Sequence, residues 1–352
     1  MFNKIVIKNF RGITNLEMNG ITPFTLVTGK NNVGKSSILE ALFLYHDHYA
    51  PSVFGVLSNV RGGFVEPNVQ LWNPLFNQMN AEKKMEIILN YEDGKTGKLA
   101  LEKDANYIMS QDQMMNPVLV SGIRPDYVLR FDYEHGDYKE TGYFTATESG
   151  IGGNVSTSLP MNEREKMPWT IYINSSSTRI SQDVAEWIGR LEITENKQVA
   201  VDILKIIEPG IRDVFVASQN GQTQLYIKDA RGVIPLKYAG DGMVRILYMT
   251  AGILSNPDSL ILLDEIENGF HYSMYEKLLS TLGKVANENR CQVIATTHSY
   301  EAIAEGISGI AEEEVQKQFS LHRLERTEDG LQDNCFDYEM IETAIKSNWE
   351  VR

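Results

Sequence analysis

Residues 29–37 read Gly-Lys-Asn-Asn-Val-Gly-Lys-Ser-Ser, and they stand between a strand-like and a helix-like segment. Before them, ITPFTLVTG (21–29) is an apolar run that ends in glycine. After them, KSSILEALFLYH (35–46) places Ile38, Leu39, Leu42 and Phe43 at helical spacing. The spacing is G-x-x-x-x-G-K-[ST], carried by Gly29, Gly34, Lys35 and Ser36. Each position has a physical reason. Glycines let backbone N–H groups wrap a β-phosphate without Cβ clashes. A helix beginning near Lys35 turns its positive end toward those phosphates. The Lys35 ammonium can reach the β- and γ-phosphates, and the Ser36 hydroxyl can hold Mg²⁺. An ordinary glycine-rich turn would need neither the strand before nor the helix after.

A base-reading Asn-Lys-x-Asp motif is missing: Asn196–Lys197 is followed by Gln198 and Val199. ATP is therefore favoured over GTP. In LILLDEIENGFH an apolar strand runs into Asp264 and Glu265, which places a carboxylate at the edge of the sheet beside a phosphate loop. Asp264 suits Mg²⁺ held through water, and Glu265 can orient or deprotonate the attacking water. In VIATTHS, His298 ends another apolar strand, one helix and one strand after Asp264. That position predicts a contact to the γ-phosphate, whereas His271 is expected to cap a helix. In YAGDGMVRILYM, Gly240 and Gly242 open a further helix, a second anion site that is useful if it covers a nucleotide held by another subunit.

The strand–helix alternation at both ends of the chain predicts an α/β fold with buried parallel strands such as LILL and VIA. Between about 85 and 180 the texture changes to short β-like runs (MEIILNY, GKLALE, DYVLRFDY, WTIYIN), read as a β-rich insertion. Within it, residues 142–160 are rich in Gly, Ser and Thr and are expected to form a long exposed loop. Residues 181–208 read as helical, and SLILLDEIE (259–267) as a strand. Neither an internal repeat nor a sustained heptad is visible, so no long coiled coil is expected.

At 352 residues, with 42% hydrophobic and 23% charged, the chain can bury a large core without staples. Cys291 and Cys335 are the only cysteines, which excludes a disulfide scaffold or a four-cysteine zinc site. No apolar run approaches the roughly 20 residues of a membrane span, and the N-terminus lacks the apolar core of a signal peptide. A soluble, cytoplasmic protein with no membrane partner is expected. Lys+Arg 33 against Asp+Glu 47 gives a formal net charge of −14, which weighs against a nucleic-acid coat unless a local basic groove is present.

Taken in order, KIVIKNFRGI, GKNNVGKSS, AGDGMVRIL, LILLDEIENGFHYS and VIATTHSYE, closed by FSLHRLER and YEMIETAI, resemble the AAA15/AAA21 group of SMC-like, ABC-type ATPases. That group is related to the ATPase half of overcoming-lysogenization-defect (OLD) nucleases. The resemblance implies one ATPase head over 1–352, with a mostly parallel core sheet, the 85–180 insertion and a helical subdomain. It implies a head-to-head homodimer, or a higher assembly, with two ATPs sandwiched between subunits. Gly29, Asn31, Asn32, Gly34, Lys35, Ser36 and Ser37 would hold the phosphates from one subunit, with Lys35 also counted as catalytic. Gly240, Asp241 and Gly242 would close over them from the other. Ser36 and Asp264 would serve Mg²⁺, Glu265 the water and His298 the γ-phosphate. Arg11 matches a position near the nucleotide, or is a plain surface arginine. Asn268 and Gly269 match a loop that meets the partner subunit.

The signature AGDGM, in place of the Leu-Ser-Gly-Gly of transporters, favours the SMC-like branch. Gln70 lies in the right general region for a lid ligand, but no tight motif fixes it. A Toprim nuclease domain needs about twice the residues that follow His298, and its Glu…Asp-x-Asp cluster is missing. A resemblance to the ATPase half alone is therefore expected. Two roles stay open. One is a switch that scaffolds or controls a separately encoded effector in bacterial anti-phage defence. The other is a RecF-like repair ATPase that clamps DNA.

Overall fold

The structure, a computed structural model, describes residues 1–61, 72–104, 128–147, 150–157, 168–174, 182–219, 222–308, 310, 313–328, 330–347, 349 and 351. The first strands are β1 (Phe2–Phe10), β2 (Ile13–Asn19), β3 (Phe24–Gly29), β4 (Met85–Tyr91), β5 (Thr96–Lys103), β6 (Val128–His135), β7 (Tyr138–Thr147) and β8 (Gly150–Thr157). They are followed by β9 (Thr170–Ile173), β10 (Asp213–Gln219), β11 (Gln222–Asp229), β12 (Gly232–Pro235), β13 (Leu260–Leu263), β14 (Gln292–Thr296), β15 (Phe319–Thr327) and β16 (Gly330–Asp337). Helices are α1 (Lys35–His46), α2 (Ser52–Asn59), α3 (Gln182–Ile193), α4 (Lys197–Leu204), α5 (Asp241–Ser255), α6 (Tyr275–Glu288), α7 (Tyr300–Ser308), α8 (Glu313–Gln316) and α9 (Tyr338–Lys346). Two compact units result. The first comprises Met1–Ile21, Asn31–Met167 and Leu324–Asn334; the second comprises Thr22–Lys30, Pro168–Arg323 and Cys335–Arg352.

The first unit is built on a seven-stranded antiparallel sheet in the order β2-β1-β4-β5-β6-β7-β8. Alternation in KIVIKNF buries Ile5 and Ile7 and leaves Lys8 exposed, the period-two pattern of a sheet covered on one face. Aromatic rings fill part of the core: Phe54 meets Trp72 and Phe144 edge-on, with centroids 5.0 and 4.7 Å apart. Helix α1 is buried almost all round, from Ser37 to Tyr45, so its apolar residues form no single stripe.

A six-stranded sheet has the order β16-β15-β3-β14-β13-β9, and its mutually parallel strands β3, β14, β13 and β9 lie in the second unit. Every residue of β3, β13 and β14 is buried, as expected for parallel strands covered on both faces. WTIYIN supplies β9, whose register with β13 pairs Leu263 with Ile173. A three-stranded sheet, β10-β11-β12, completes this unit.

Three sequence expectations are corrected. Residues 142–147 and 150–157 are strand and not loop: β7 and β8 pair from Glu140↔Thr157 to Thr147↔Gly150. Ladder hydrogen bonds satisfy the backbone whatever the side-chain polarity, so Gly, Ser and Thr did not preclude a strand. Residues 158–160 lie outside the described residues. SLILLDEIE is a strand only to Leu263, because Glu265 takes a left-handed φ of 51° and turns the chain. The helical stretch from 181 is broken at Glu195, also left-handed at φ 60°, giving α3 and α4. Among the described residues no helix is long and apolar enough to cross a membrane.

Candidate nucleotide-binding site

Strand β3 ends at Gly29 with φ 133°, and α1 begins at Lys35 behind Gly34 with φ 125°. Asn32 between them is left-handed as well, at φ 61°. Both glycines occupy backbone that side-chain-bearing residues rarely adopt, and asparagine is among the few that tolerate it. Positive φ at three of the six residues 29–34 is the kind of backbone on which a loop can turn amides toward an anion. Lys30, Asn31 and Asn32 are exposed, whereas Val33 is buried and its carbonyl accepts from Arg326 Nη2 at 3.4 Å. No acid stands in the first turn of α1, so nothing there repels a phosphate. Lys35 and Ser36 are half-buried. Ser37 is buried, and its Oγ accepts from Arg61 Nη2 at 3.4 Å.

Arg11 is placed differently from a plain surface arginine. It is left-handed at φ 47°, and its guanidinium pairs with the fully buried Glu40 of α1 and donates to the Leu57 carbonyl at 3.3 Å. Arg61 Nε joins the same carboxylate at 2.8 Å. A carboxylate with no exposed surface needs such partners, and here two guanidiniums supply them.

The three parallel strands β3, β14 and β13 end at one edge of their sheet, so Gly29, Thr296 and Leu263 deliver the loops that follow to the same place. The Thr297 amide donates to the Val27 carbonyl at 3.0 Å, and the Asp264 amide to that of Ile173 at 2.8 Å. Asp264 is buried, and Thr296 Oγ1 donates to its Oδ1 at 2.6 Å. The same hydroxyl accepts from the Glu265 amide at 2.8 Å. One threonine therefore orients the carboxylate and pins the turn that follows it. A carboxylate and a serine hydroxyl are hard oxygen donors of the kind Mg²⁺ accepts alongside phosphate and water. Among the described residues no three His, Cys, Asp or Glu side chains gather as a metal group. Asp264 and Ser36 each fit such a cation by the chemistry of their oxygens.

Beneath the turn lies Arg245 of α5, a buried arginine. It donates from Nη2 to the carbonyls of Asp264 and Glu265, the latter at 2.9 Å, and from Nη1 to that of Asn174 at 3.1 Å. Burial lowers its proton affinity, opposed by the charges of Asp264, Glu267 and Glu265. His298 follows β14 with a half-exposed ring, and its Nδ1 lies 2.8 Å from Oε1 of the buried Glu267. His271 accepts at Nδ1 from the Ser273 amide at 3.4 Å, capping a short 3₁₀ turn as expected.

At the start of α5, Gly240 and Asp241 are exposed and Gly242 is buried. A Cβ on Gly242 would lie 2.3 Å from the carbonyl oxygen of Gly269, which is itself left-handed at φ 85°. Two backbones touch there, so the glycine at 242 answers to a contact inside this unit. Gly242→Ala is expected to cost about 1–3 kcal/mol of stability, measured by denaturant unfolding, because backbone and not a flexible side chain must give way. Asn268 and Gly269 are exposed, and Gln70 lies outside the described residues.

Thr296, Arg245 and Glu267 were not picked out from the sequence. A charged residue inside the otherwise apolar helix MVRILYM was a usable signal for Arg245, as was a second acid two residues after Glu265 for Glu267.

A parallel sheet with a glycine-rich loop after one strand, an acid pair after another and a histidine after the strand between them defines a P-loop ATPase of the ABC/SMC-head class. Solved SMC heads share the fold: the SmcHead bound to the C-winged helix domain of ScpA has a TM-score of 0.53 at 12% identity, covering 96% of this chain and 98% of its own. An Smc head with an extended coiled coil, bound to a ScpA C-terminal domain from Pyrococcus furiosus, gives 0.53 at 10% identity over 99% of each chain. Two family profiles match: "AAA ATPase domain" over residues 1–147, and "AAA domain, putative AbiEii toxin, Type IV TA system" over 156–304. The chain is an SMC-like ATPase, matched in its first part by one of these profiles and in its second by the other. An "ATP/GTP phosphatase" of Helicobacter pylori is 25% identical over 330 residues, covering 86% of this chain and 86% of that protein.

Proposed function

We propose that this ATPase binds Mg-ATP between two copies of the whole chain, acting as one head, and that hydrolysis resets a switch controlling a separate effector protein in bacterial anti-phage defence. Residues 29–37 hold the phosphates, Ser36 and Asp264 carry the cation, Glu265 directs the attacking water, and His298 meets the γ-phosphate. Gly240, Asp241 and Gly242 close over the nucleotide of the other copy. The observation that carries the reading is the shared sheet edge, where Gly29, the Thr296–Asp264–Glu265 network and His298 follow neighbouring parallel strands. A relative described as a phosphatase of ATP and GTP supports turnover, and the absence of a base-reading Asn-Lys-x-Asp favours ATP of the two. Solved SMC heads with a ScpA domain bound support a head that serves a partner protein.

Light scattering on the purified protein tests the dimer: Mg-ATP is expected to double the mass, and ADP is not. A mass unchanged by Mg-ATP, in protein that demonstrably binds it, counts against the sandwich. Affinity capture from the native host, with mass spectrometry and nucleic-acid extraction, then tests the client. A stoichiometric protein encoded beside this chain supports the effector switch, whereas DNA without a protein overturns it in favour of a clamp.

A further inference from the structure

Glu267 has a geometry that the acid pair before it does not explain. Its Oε1 meets one residue twice: it accepts from the His298 backbone amide at 2.9 Å, and the His298 ring nitrogen Nδ1 lies 2.8 Å from the same oxygen. The carboxylate is 7% exposed on its side chain, the histidine ring 51%. Its other oxygen, Oε2, is buried and has no hydrogen-bond partner. Leaving half a buried carboxylate unsatisfied costs free energy, and a group serving only to tie down a backbone amide would not need a carboxylate at all.

We infer that Glu267 is a positioning residue for His298: it fixes the proton on Nδ1, sets the plane of the ring, and leaves Nε2 as the nitrogen that meets the nucleotide. An ionised carboxylate only accepts hydrogen bonds, so the ring nitrogen facing it carries the proton. Two contacts from one oxygen, to main chain and to ring, hold both the base and the tip of the side chain. The half-exposed ring then presents its far edge beyond the sheet. The same logic lets outer carboxylates orient metal-bound and catalytic histidines. Thr296 does for Asp264 what Glu267 does for His298, so each loop at this edge carries its own orienting group.

The inference rests on the reading of His298 as the γ-phosphate contact, and the experiment separates the two. The first measurement needs no nucleotide. Protein labelled with ¹⁵N-histidine is compared as wild type, Glu267→Gln, Glu267→Ala and His298→Ala, the last assigning the signal among six histidines. Nδ1 of His298 is expected to be protonated in wild type and in Glu267→Gln, whose amide oxygen still accepts, and to lose that preference in Glu267→Ala. Protonation on Nε2 alone in the wild type overturns the inference.

The second measurement is steady-state turnover. Glu267→Ala is expected to lower kcat about tenfold with KM for Mg-ATP changed by less than about threefold, and Glu267→Gln to recover most of the loss. In a His298→Ala background, Glu267→Ala is expected to change kcat by less than about twofold, since a residue acting through His298 has nothing left to position. A second full loss in that background, or a Gln variant no better than Ala, overturns the inference. Should Glu267→Ala fail to fold, the Gln variant and the wild-type tautomer still decide it. Unchanged kcat in His298→Ala instead overturns the reading of His298, whatever the tautomer shows.

Discussion

Replacing Glu265 by Gln is expected to lower ATP turnover by about 10²–10³-fold, about 2.7–4 kcal/mol of barrier, while ATP binding persists. Gln has the size of Glu and keeps an acceptor, so the backbone that positions residue 265 should be undisturbed. That backbone is over-determined: the amide donates to Thr296 Oγ1, the carbonyl accepts from Arg245, and φ is left-handed at 51°. A residue whose backbone is held this way at the end of a strand does not depend on its side chain for the fold. What Gln lacks is the negative charge that polarises a water and the lone pair that takes its proton. Phosphate release, ATP affinity and melting temperature should be measured together. Lower turnover with unchanged affinity and melting temperature assigns the loss to chemistry. Normal steady-state turnover would remove Glu265 from the role given to it. Under Mg-ATP the variant should accumulate as the dimer, because the state that hydrolysis ends would persist.

The elements that position these groups were legible where the chemistry has a local pattern. The β3–loop–α1 join could be read because glycine at 29 and 34 answers to backbone angles visible in composition alone. LILL and VIA gave the buried parallel strands, since burial on both faces leaves no alternation. The residues that were missed act through partners distant in sequence. Thr296 looks like any threonine in VIATTHS until β14 lies beside β13 and brings its hydroxyl to Asp264. Glu40 sits in ILEALF as an ordinary helix residue, and only folding shows it buried between Arg11 and Arg61. Gly242 reads in the sequence as part of a glycine-opened helix end that suits an anion, and the fold adds a backbone contact with Gly269 that forbids a side chain. Residues 142–147 and 150–157 read as loop in the sequence because cross-strand pairing is set by neighbours and not by a segment's own polarity.

These tertiary partners join the signature helix to the acidic turn. Arg245 holds the carbonyls of Asp264 and Glu265 from one turn of α5, and Gly242 lies on Gly269 one turn earlier. The loop carrying Asp264 to Gly269 is therefore fixed to α5 at both of its ends. A displacement of α5 cannot leave the backbone of Glu265 where it was. In the proposed dimer, closure of one copy's Gly240–Gly242 over a nucleotide would thus be registered at its own hydrolytic turn.

Lys35→Ala is expected to weaken ATP binding by about 10²-fold, or about 2.7 kcal/mol, and to abolish Mg-ATP-induced dimerisation with it. The residue opens α1 directly behind Gly34, so a short stretch of backbone separates its ammonium from the loop proposed to hold the phosphates. A triphosphate brings several negative charges against one helix end that carries only a partial positive charge. Without the ammonium, no other cation of residues 29–37 has the same station, because Lys30 lies on the exposed side of the loop. The charge should not be fully recoverable through Lys35→Arg, whose planar guanidinium presents its donors as a wide fork and not as a point-like ammonium. Calorimetric titration with ATP, with hydrolysis suppressed by Glu265→Gln in both proteins, isolates binding from turnover. Stability should change little, since the Lys35 side chain is half-buried and α1 is anchored by Ile38, Leu39, Leu42 and the Glu40 pairs. ATP affinity within about threefold of the parent would sink the assignment of Lys35 to the phosphates, and with it the claim that this loop is the cradle.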